Sequence, residues 1–81
     1  MHITIRLFAR LREMSGAGEV RRSLPDGASV RAAWDSLVNE FPGFDDYSKV
    51  VACAVNADYA RMTTALSDGD EVAFLPPVSG G

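Results

Sequence analysis

Val30-Arg31-Ala32-Ala33-Trp34-Asp35-Ser36-Leu37-Val38-Asn39-Glu40-Phe41 is the stretch on which the reading of the whole chain turns. Val30, Ala33, Trp34, Leu37, Val38 and Phe41 fall at i, i+3, i+4, i+7, i+8 and i+11, the spacing that lines one side of an α-helix. Arg31, Asp35, Ser36, Asn39 and Glu40 take the other side. Ser29 stands where an N-cap is expected, with a hydroxyl able to accept an otherwise unpaired backbone N–H. Pro42-Gly43 ends the run, because proline lacks the N–H that the helical ladder needs. A tryptophan and a phenylalanine in such a stripe belong to a core. One helix with one apolar stripe needs a surface to pack on, and the rest of the chain has to supply it.

Upstream, Ile3, Ile5 and Leu7 alternate with Thr4 and Arg6, the period of a half-buried strand. Phe8-Ala9-Arg10-Leu11-Arg12-Glu13-Met14 then shifts toward helical spacing, with Phe8, Leu11 and Met14 on one side, and Ser15-Gly16-Ala17-Gly18 stops it. Residues 19–24 form a second strand, closed by the turn Pro25-Asp26-Gly27. Arg22 shares a face with Val20 and Leu24, which places this strand near a sheet edge, where a long arginine stem reaches water.

Downstream, residues 44–49 read as an irregular acidic connection. Residues 50–55 are apolar on both faces, the mark of a strand inside a sheet. Asn56-Ala57-Asp58 is a turn, and residues 59–66 carry no assignable pattern. Ser67-Asp68-Gly69-Asp70 turns into a last strand at 71–75, with Val72 and Phe74 toward the core and Ala73 and Leu75 away from it. The order is strand, strand, helix, strand, strand. With the first strand beside the last and the helix crossing over right-handed, the expected fold is α+β. It is a ubiquitin-like β-grasp: a mixed four- to five-stranded sheet packed on one main helix. The expected division is a domain at 1–75 and an extended tail at 76–81.

At 81 residues the chain has room for one modest core. Its 47% hydrophobic and 23% charged residues are ordinary globular values and exclude a disordered chain. A net charge of -3 argues against nucleic-acid binding, which needs a surplus of Lys and Arg. Arg6, Arg10, Arg12, Arg21 and Arg22 cluster early, so they form either a local basic patch for an acidic partner or a solvated surface. Cys53 is the only cysteine, which excludes an internal disulfide and fits a reducing cytoplasm. No secretory signal pattern and no apolar run long enough to span a membrane is present.

Most routes to side-chain catalysis are closed. His2 is the only histidine, so a histidine triad or a multi-histidine metal site has no residues to build it. Gly16-Ala17-Gly18 lacks the third glycine, the preceding strand and the helix start of a dinucleotide loop. Asp45-Asp46 and Asp68/Asp70 sit in turns, where aspartate is expected, and no metal site is assigned to them. Cys53 lies between Val51 and Val55 on an apolar face, where burial blocks access and raises the thiol pKa. It is read as packing.

That leaves the tail, Leu75-Pro76-Pro77-Val78-Ser79-Gly80-Gly81. Pro76 and Pro77 have no backbone N–H and a fixed φ, so they end the last strand and project a stiff extended segment. At roughly 3.3 Å per residue, the part after Leu75 reaches about 20 Å. Gly80 and Gly81 have no side chains, so this tip fits a narrow channel. Its one reactive group is the α-carboxylate of Gly81. A carboxylate becomes an acyl donor when an ATP-dependent partner converts it to an acyl-adenylate, which a thiol or sulfide then attacks. The product is a thioester or a thiocarboxylate, and the latter is a soft sulfur nucleophile. Leu75, facing away from the helix beside the tail, is either a docking contact or an ordinary exposed leucine.

Gly69-Asp70-Glu71-Val72-Ala73-Phe74-Leu75-Pro76-Pro77-Val78-Ser79-Gly80-Gly81 resembles the C-terminal signature of the molybdopterin synthase small-subunit family. Phe8-Ala9 with Arg12-Glu13, and Ala54-Val55-Asn56, are similar to that family's patterns after its first strand and at its inner strand. The resemblance spans the chain, although 42–49 matches no motif. It implies a β-grasp that binds no cofactor itself and is not catalytic alone. Gly81 would be adenylated by a ubiquitin-activating-like adenylyltransferase using ATP, and converted to a thiocarboxylate by a sulfurtransferase. The tail, Pro76 to Gly81, would then insert into the large subunit of a heterotetramer. There sulfur passes to cyclic pyranopterin monophosphate in molybdenum cofactor synthesis. Related readings share the tail and its chemistry: a sulfur carrier for thiamine, cysteine or tRNA thiolation, or a ubiquitin-like protein modifier. A plain β-grasp binding module with an incidental tail is the third.

Overall fold

The structure is a computed structural model that describes residues 1–77. Its elements run β1 (His2–Leu7), α1 (Ala9–Ser15), β2 (Glu19–Ser23) and α2 (Val30–Glu40). A 3-10 helix (Pro42–Tyr47), β3 (Ala52–Val55), β4 (Asp58–Ala60) and β5 (Glu71–Leu75) follow. The strands form a five-stranded sheet in the order β2-β1-β5-β3-β4. β1 and β5 are parallel, and the other neighbours are antiparallel. The first strand therefore lies beside the last, as the mixed-sheet expectation required, and β2 is an edge strand.

Register explains why the alternating residues make one core. Ile5 sits opposite Val72 and Leu7 opposite Phe74, while Phe74 and Val72 face Cys53 and Val55 across β3. Rows of apolar side chains thus cross three strands on the face that α2 covers. Val30, Ala33, Trp34 and Leu37 of α2 are buried against them. The Trp34 ring lies 4.9 Å from that of Phe74 and 5.6 Å from that of Phe44. Among the described residues no polar or charged side chain is fully buried.

Ser29 is the N-cap of α2, but its hydroxyl makes no capping bond. Instead the N–H groups of Val30 and Arg31 donate to the carbonyls of Thr64 and Met62, each at 2.9 Å. Residues 59–66, unassigned from the sequence, thus hold the last two residues of β4 and a backbone cap for the helix. Leu66 N–H bonds Ala28 O at 2.9 Å, and its side chain is buried. The orphan donors of a helix start need acceptors from somewhere, and a neighbouring loop serves as well as a side chain.

Two further expectations need correction. The segment read as irregular at 44–49 begins as the 3-10 helix, and Phe44 in it is fully buried. It stacks on Trp34 and, at 5.2 Å, on Phe41. Phe8 does not join Leu11 on the buried side of α1. It is extended (φ -125, ψ 157), the cap residue before the helix, and 41% exposed. Strand alternation outlasts β1 by one residue, so Leu7 points in and Phe8 out.

The turns follow their sequence signals. Asn56 and Ala57, both at positive φ (50 and 73), join β3 to β4 as the two-residue hairpin that type I′ geometry demands. The Asn56 side chain also accepts from Glu71 N–H at 3.0 Å and donates to Asp70 at 2.9 Å. Asp70 accepts from Ser67 N–H and Asp68 from His2 N–H, so these carboxylates are occupied in pinning the β4–β5 turn to β1.

If the 3-10 helix is core rather than connection, Phe44→Ala should cost about 3–5 kcal/mol, the range for a buried aromatic truncation. Denaturant unfolding measures it, and a loss below about 1 kcal/mol would return 42–47 to the status of a loop.

Candidate functional site

The end of β5 carries the site, and the fold places it through β1 and β3. Leu75 is paired with Ala52 at the start of β3, while Phe74 is level with Leu7 at the end of β1. The chain therefore leaves the sheet where β1 turns into α1 and where the 3-10 helix arrives at β3. A groove of about 720 Å³ lies at that corner. Leu75, Pro76 and Pro77 form one wall, Phe8, Ala9, Arg10 and Glu13 the other, and Tyr47 of the 3-10 helix closes it.

Each wall has a local cause. Ala9 has φ 49, a left-handed backbone that costs a non-glycine residue roughly 1–2 kcal/mol. α1 begins at Ala9, directly after the outward-facing Phe8, and its Arg10 and Glu13 line the groove. Arg10 and Glu13 pair at 3.2 Å across one helical turn. On the other wall, Pro76 and Pro77 offer no N–H, so β5 stops at Leu75 and no further strand pairs there.

The outer face of the sheet continues from the groove. Ala54 and Ala73 are register neighbours on it, and Tyr59 lies across from Ala54, 86% exposed. Arg6 stands beside this strip with Glu19 and Glu71 each 3.8 Å away. Arg22 is paired with Glu40 of α2. Of the early arginines, Arg6, Arg10 and Arg22 are thus matched by carboxylates, and the basic patch weighed from the sequence does not form around them. Such exposed pairs contribute about 1 kcal/mol or less.

Of the sequence-predicted site residues, Leu75, Pro76 and Pro77 come together in the groove, with Leu75 half-buried on the face away from α2. Val78, Ser79, Gly80 and Gly81 lie outside the described residues. Phe8, Ala9, Arg10, Glu13 and Tyr47 were not singled out as site residues. The outward parity of Phe8 was the signal for it, but helical spacing with Leu11 masked that parity. Tyr47 had none, since it arrives through the 3-10 helix.

Cys53 is no part of this groove. It is 4% exposed, and its thiol lies 3.2 Å from the carbonyl of Ala60. Desolvation by burial pushes its pKa above the ordinary 9.0. Among the described residues no group of three or more His, Cys, Asp or Glu side chains could hold a metal ion. None of the described helices is long and apolar enough to cross a membrane.

A profile of the ThiS family matches residues 5–81, nearly the whole chain. The chain belongs to the ThiS family. Full-length similarity agrees: this ThiS-family chain is 39% identical to the molybdopterin synthase sulfur carrier subunit of Chlamydomonas reinhardtii, with all of both chains covered. It is 33% identical to the subunit of the same name from Arabidopsis thaliana, covering 100% of this chain and 84% of the relative. Its fold superposes on the crystal structure of small archaeal modifier protein 1 from Haloferax volcanii with a TM-score of 0.86, at 33% identity and full coverage of both. The ubiquitin-like β-grasp read from strand order is the family's architecture.

The buried thiol makes two linked statements. Cys53 should react with a soluble alkylating agent only as fast as the protein opens, far slower than in denaturant. Because the unfolded thiol ionises near 9.0 and the folded one above it, the unfolded state binds fewer protons in that window. Stability should therefore be full below pH 9.0 and fall as pH rises through the folded value. Cys53→Ala should abolish that part of the alkaline loss; an identical alkaline profile for the variant would contradict it.

Proposed function

We infer that this chain is the sulfur-carrier subunit of a molybdopterin synthase, and that Gly81 is its reacting residue. The observation that carries this is the family match combined with the corner at which β5 runs into Pro76-Pro77. A rigid strand, two prolines and a groove set the root of a tail that ends in Gly80-Gly81. Curated relatives of full length bear the name of the molybdopterin synthase sulfur carrier.

In this reading the Gly81 carboxylate attacks the α-phosphorus of ATP in the active site of an adenylating partner, releasing pyrophosphate. A sulfur donor supplied by a sulfurtransferase displaces AMP and leaves a thiocarboxylate. The tail then enters the large subunit of a heterotetramer of two small and two large subunits, where the sulfur attacks cyclic pyranopterin monophosphate and water then cleaves the acyl C–S bond, leaving sulfur on the pterin and the carboxylate on Gly81. Gly80 and Gly81 carry no side chain, so a tip of these two residues fits a narrow channel. Leu75, with Phe8 beside it, gives the large subunit an apolar foothold at the tail root. The chain contributes positioning and one carboxylate; ATP chemistry and the catalytic side chains belong to its partners. It works in the cytoplasm, where the pterin precursor and a reducing environment meet.

A protein-modifier role shares every step up to the adenylate and differs in the acceptor, a lysine amine in place of sulfide. The likeness to small archaeal modifier protein 1 supports it as the second reading. Intact mass of the protein from its own cells separates the two. The carrier shows oxygen replaced by sulfur at Gly81, reversed when pterin substrate and large subunit are added. A thiocarboxylate that persists with both present would favour another sulfur route.

Two variants test the assignment of roles. Deleting Gly81 should leave the unfolding midpoint unchanged while abolishing sulfur transfer; unaltered cofactor synthesis would end the carrier reading. Leu75→Asp should weaken binding to the large subunit by at least about tenfold, which corresponds to about 1.4 kcal/mol. Titration calorimetry measures it, and unchanged affinity would remove Leu75 from the interface.

A further inference from the structure

Tyr47 reaches the groove from the one segment that carries no family motif. Phe8, Ala9 and Glu13 on one wall, and Leu75, Pro76 and Pro77 on the other, lie in stretches that resemble the small-subunit signature. Residues 42–49 do not, so the place of Tyr47 has to be set by contacts within this chain.

Those contacts converge on Trp34. Side chains three residues apart lie on the same side of a 3-10 helix. Phe44 and Tyr47 are such a pair, so stacking of the buried Phe44 on the Trp34 ring decides which side of the helix Tyr47 occupies. Tyr47 itself packs half-buried against the core. A hydrogen bond to the same tryptophan then fixes the far end of the helix. The Trp34 indole N–H donates to Ser48 Oγ at 2.9 Å, and the Ser48 hydroxyl donates to Asp45 Oδ1 at 2.9 Å. The Ser48 N–H donates to the Asp45 carbonyl at 3.1 Å, and the Tyr47 carbonyl accepts from Val50 and Val51 N–H at 3.0 and 2.8 Å. Tyr47 is therefore held through its own carbonyl and through the side chain of the residue that follows it.

Trp34 is 1% exposed, and its N–H needs an acceptor. Among the described residues no buried side-chain nitrogen or oxygen lacks a partner, and for the indole that partner is Ser48. One bond thus satisfies the core tryptophan and ties down the end of the helix that borders the groove.

We propose that Ser48 is a positioning residue for partner binding: through its bond to Trp34 it holds Tyr47 as the closing wall of the tail-root groove, against the large subunit. The proposal rests on the carrier reading for the identity of that partner, and it adds a third side chain to the foothold of Leu75 and Phe8. These three come from separate parts of the chain, so they present one continuous surface only while each keeps its place. Tyrosine suits such a wall, since it brings a large rigid contact area with few χ angles to order. Ser48 acts on affinity and takes no part in the chemistry of sulfur transfer.

The test is steady-state sulfur transfer to the pterin in the presence of the large subunit, with the full chain, loaded as its thiocarboxylate, as the varied substrate. Ser48→Ala should raise KM for the carrier about three- to tenfold, the size that one lost hydrogen bond allows, with kcat unchanged. Ser48→Thr keeps the hydroxyl and should restore KM. Tyr47→Ala should raise KM while the NMR signal of the Trp34 indole N–H stays in place. Adding Ser48→Ala to Tyr47→Ala should then raise KM no further, although the unfolding midpoint falls in both backgrounds. A merely structural Ser48 would lower the midpoint and leave KM alone. Unchanged KM for folded Ser48→Ala overturns the proposal, as does an additive effect in the double variant. Trp34→Phe breaks the same bond from its donor end; should Ser48→Ala not fold, unchanged KM for Trp34→Phe overturns it equally. The carrier reading fails separately, if the unsubstituted chain transfers no sulfur at all.

Discussion

The contact of the Trp34 indole with Phe74 and Phe44 is the interaction on which the rest depends. It joins α2 to the middle strand of the sheet and draws the 3-10 helix onto the same core. Burying a side chain of this size contributes roughly 2–3 kcal/mol. That is a large share for a small domain, whose net stability is of order 5–15 kcal/mol. Its consequence is positional. Phe74 is held from above by Trp34 and from both sides by Leu7 and Cys53, so the strand that ends at Leu75 cannot shift register without turning its buried row outward. The root of the tail inherits that rigidity.

A carrier of this kind has to reconcile a fixed origin with a slender end. The division of labour along 71–81 follows from backbone chemistry. β5 is hydrogen-bonded on both edges, Pro76 and Pro77 cannot pair at all, and the two terminal glycines bring no side chain to a channel. Little is asked of the other polar groups. Asp68, Asp70 and Asn56 are spent on pinning turns, and Cys53 on packing. In the proposed function the reactive group is the carboxylate of Gly81, and its activation is left to other proteins.

The groove beside that root is assembled from three distant pieces of chain. Phe8 arrives because strand parity persists through the strained Ala9, Tyr47 because the buried Phe44 drags its helix inward, and Leu75 because of β5 register. Parallel β1–β5 and antiparallel β3–β5 pairing together put two chain crossings and the exit at one end of the sheet. The topology sets where the chain leaves the sheet, whatever the side chains in between.

What the sequence alone determined is whatever follows from periodicity and backbone chemistry. The α2 stripe, the alternation of β1 and β5, the doubly apolar β3, the edge position of β2 and the stop at Pro76-Pro77 are all local in origin, and they suffice for a β-grasp. The break after Leu75 was legible for the same reason, since Pro76 and Pro77 fix their own φ and offer no N–H. The tertiary structure decided what depends on contacts between remote segments. The helix start is capped by the carbonyls of Met62 and Thr64 instead of the Ser29 hydroxyl, because a hydrogen bond needs only an acceptor in place, and packing delivered a backbone one. The 3-10 helix at 42–47 exists because Trp34 offers Phe44 a stacking partner, which no pattern within PGFDDY records. Phe8 turned outward because its backbone stays extended one residue beyond β1, a choice between two periods that the sequence left open.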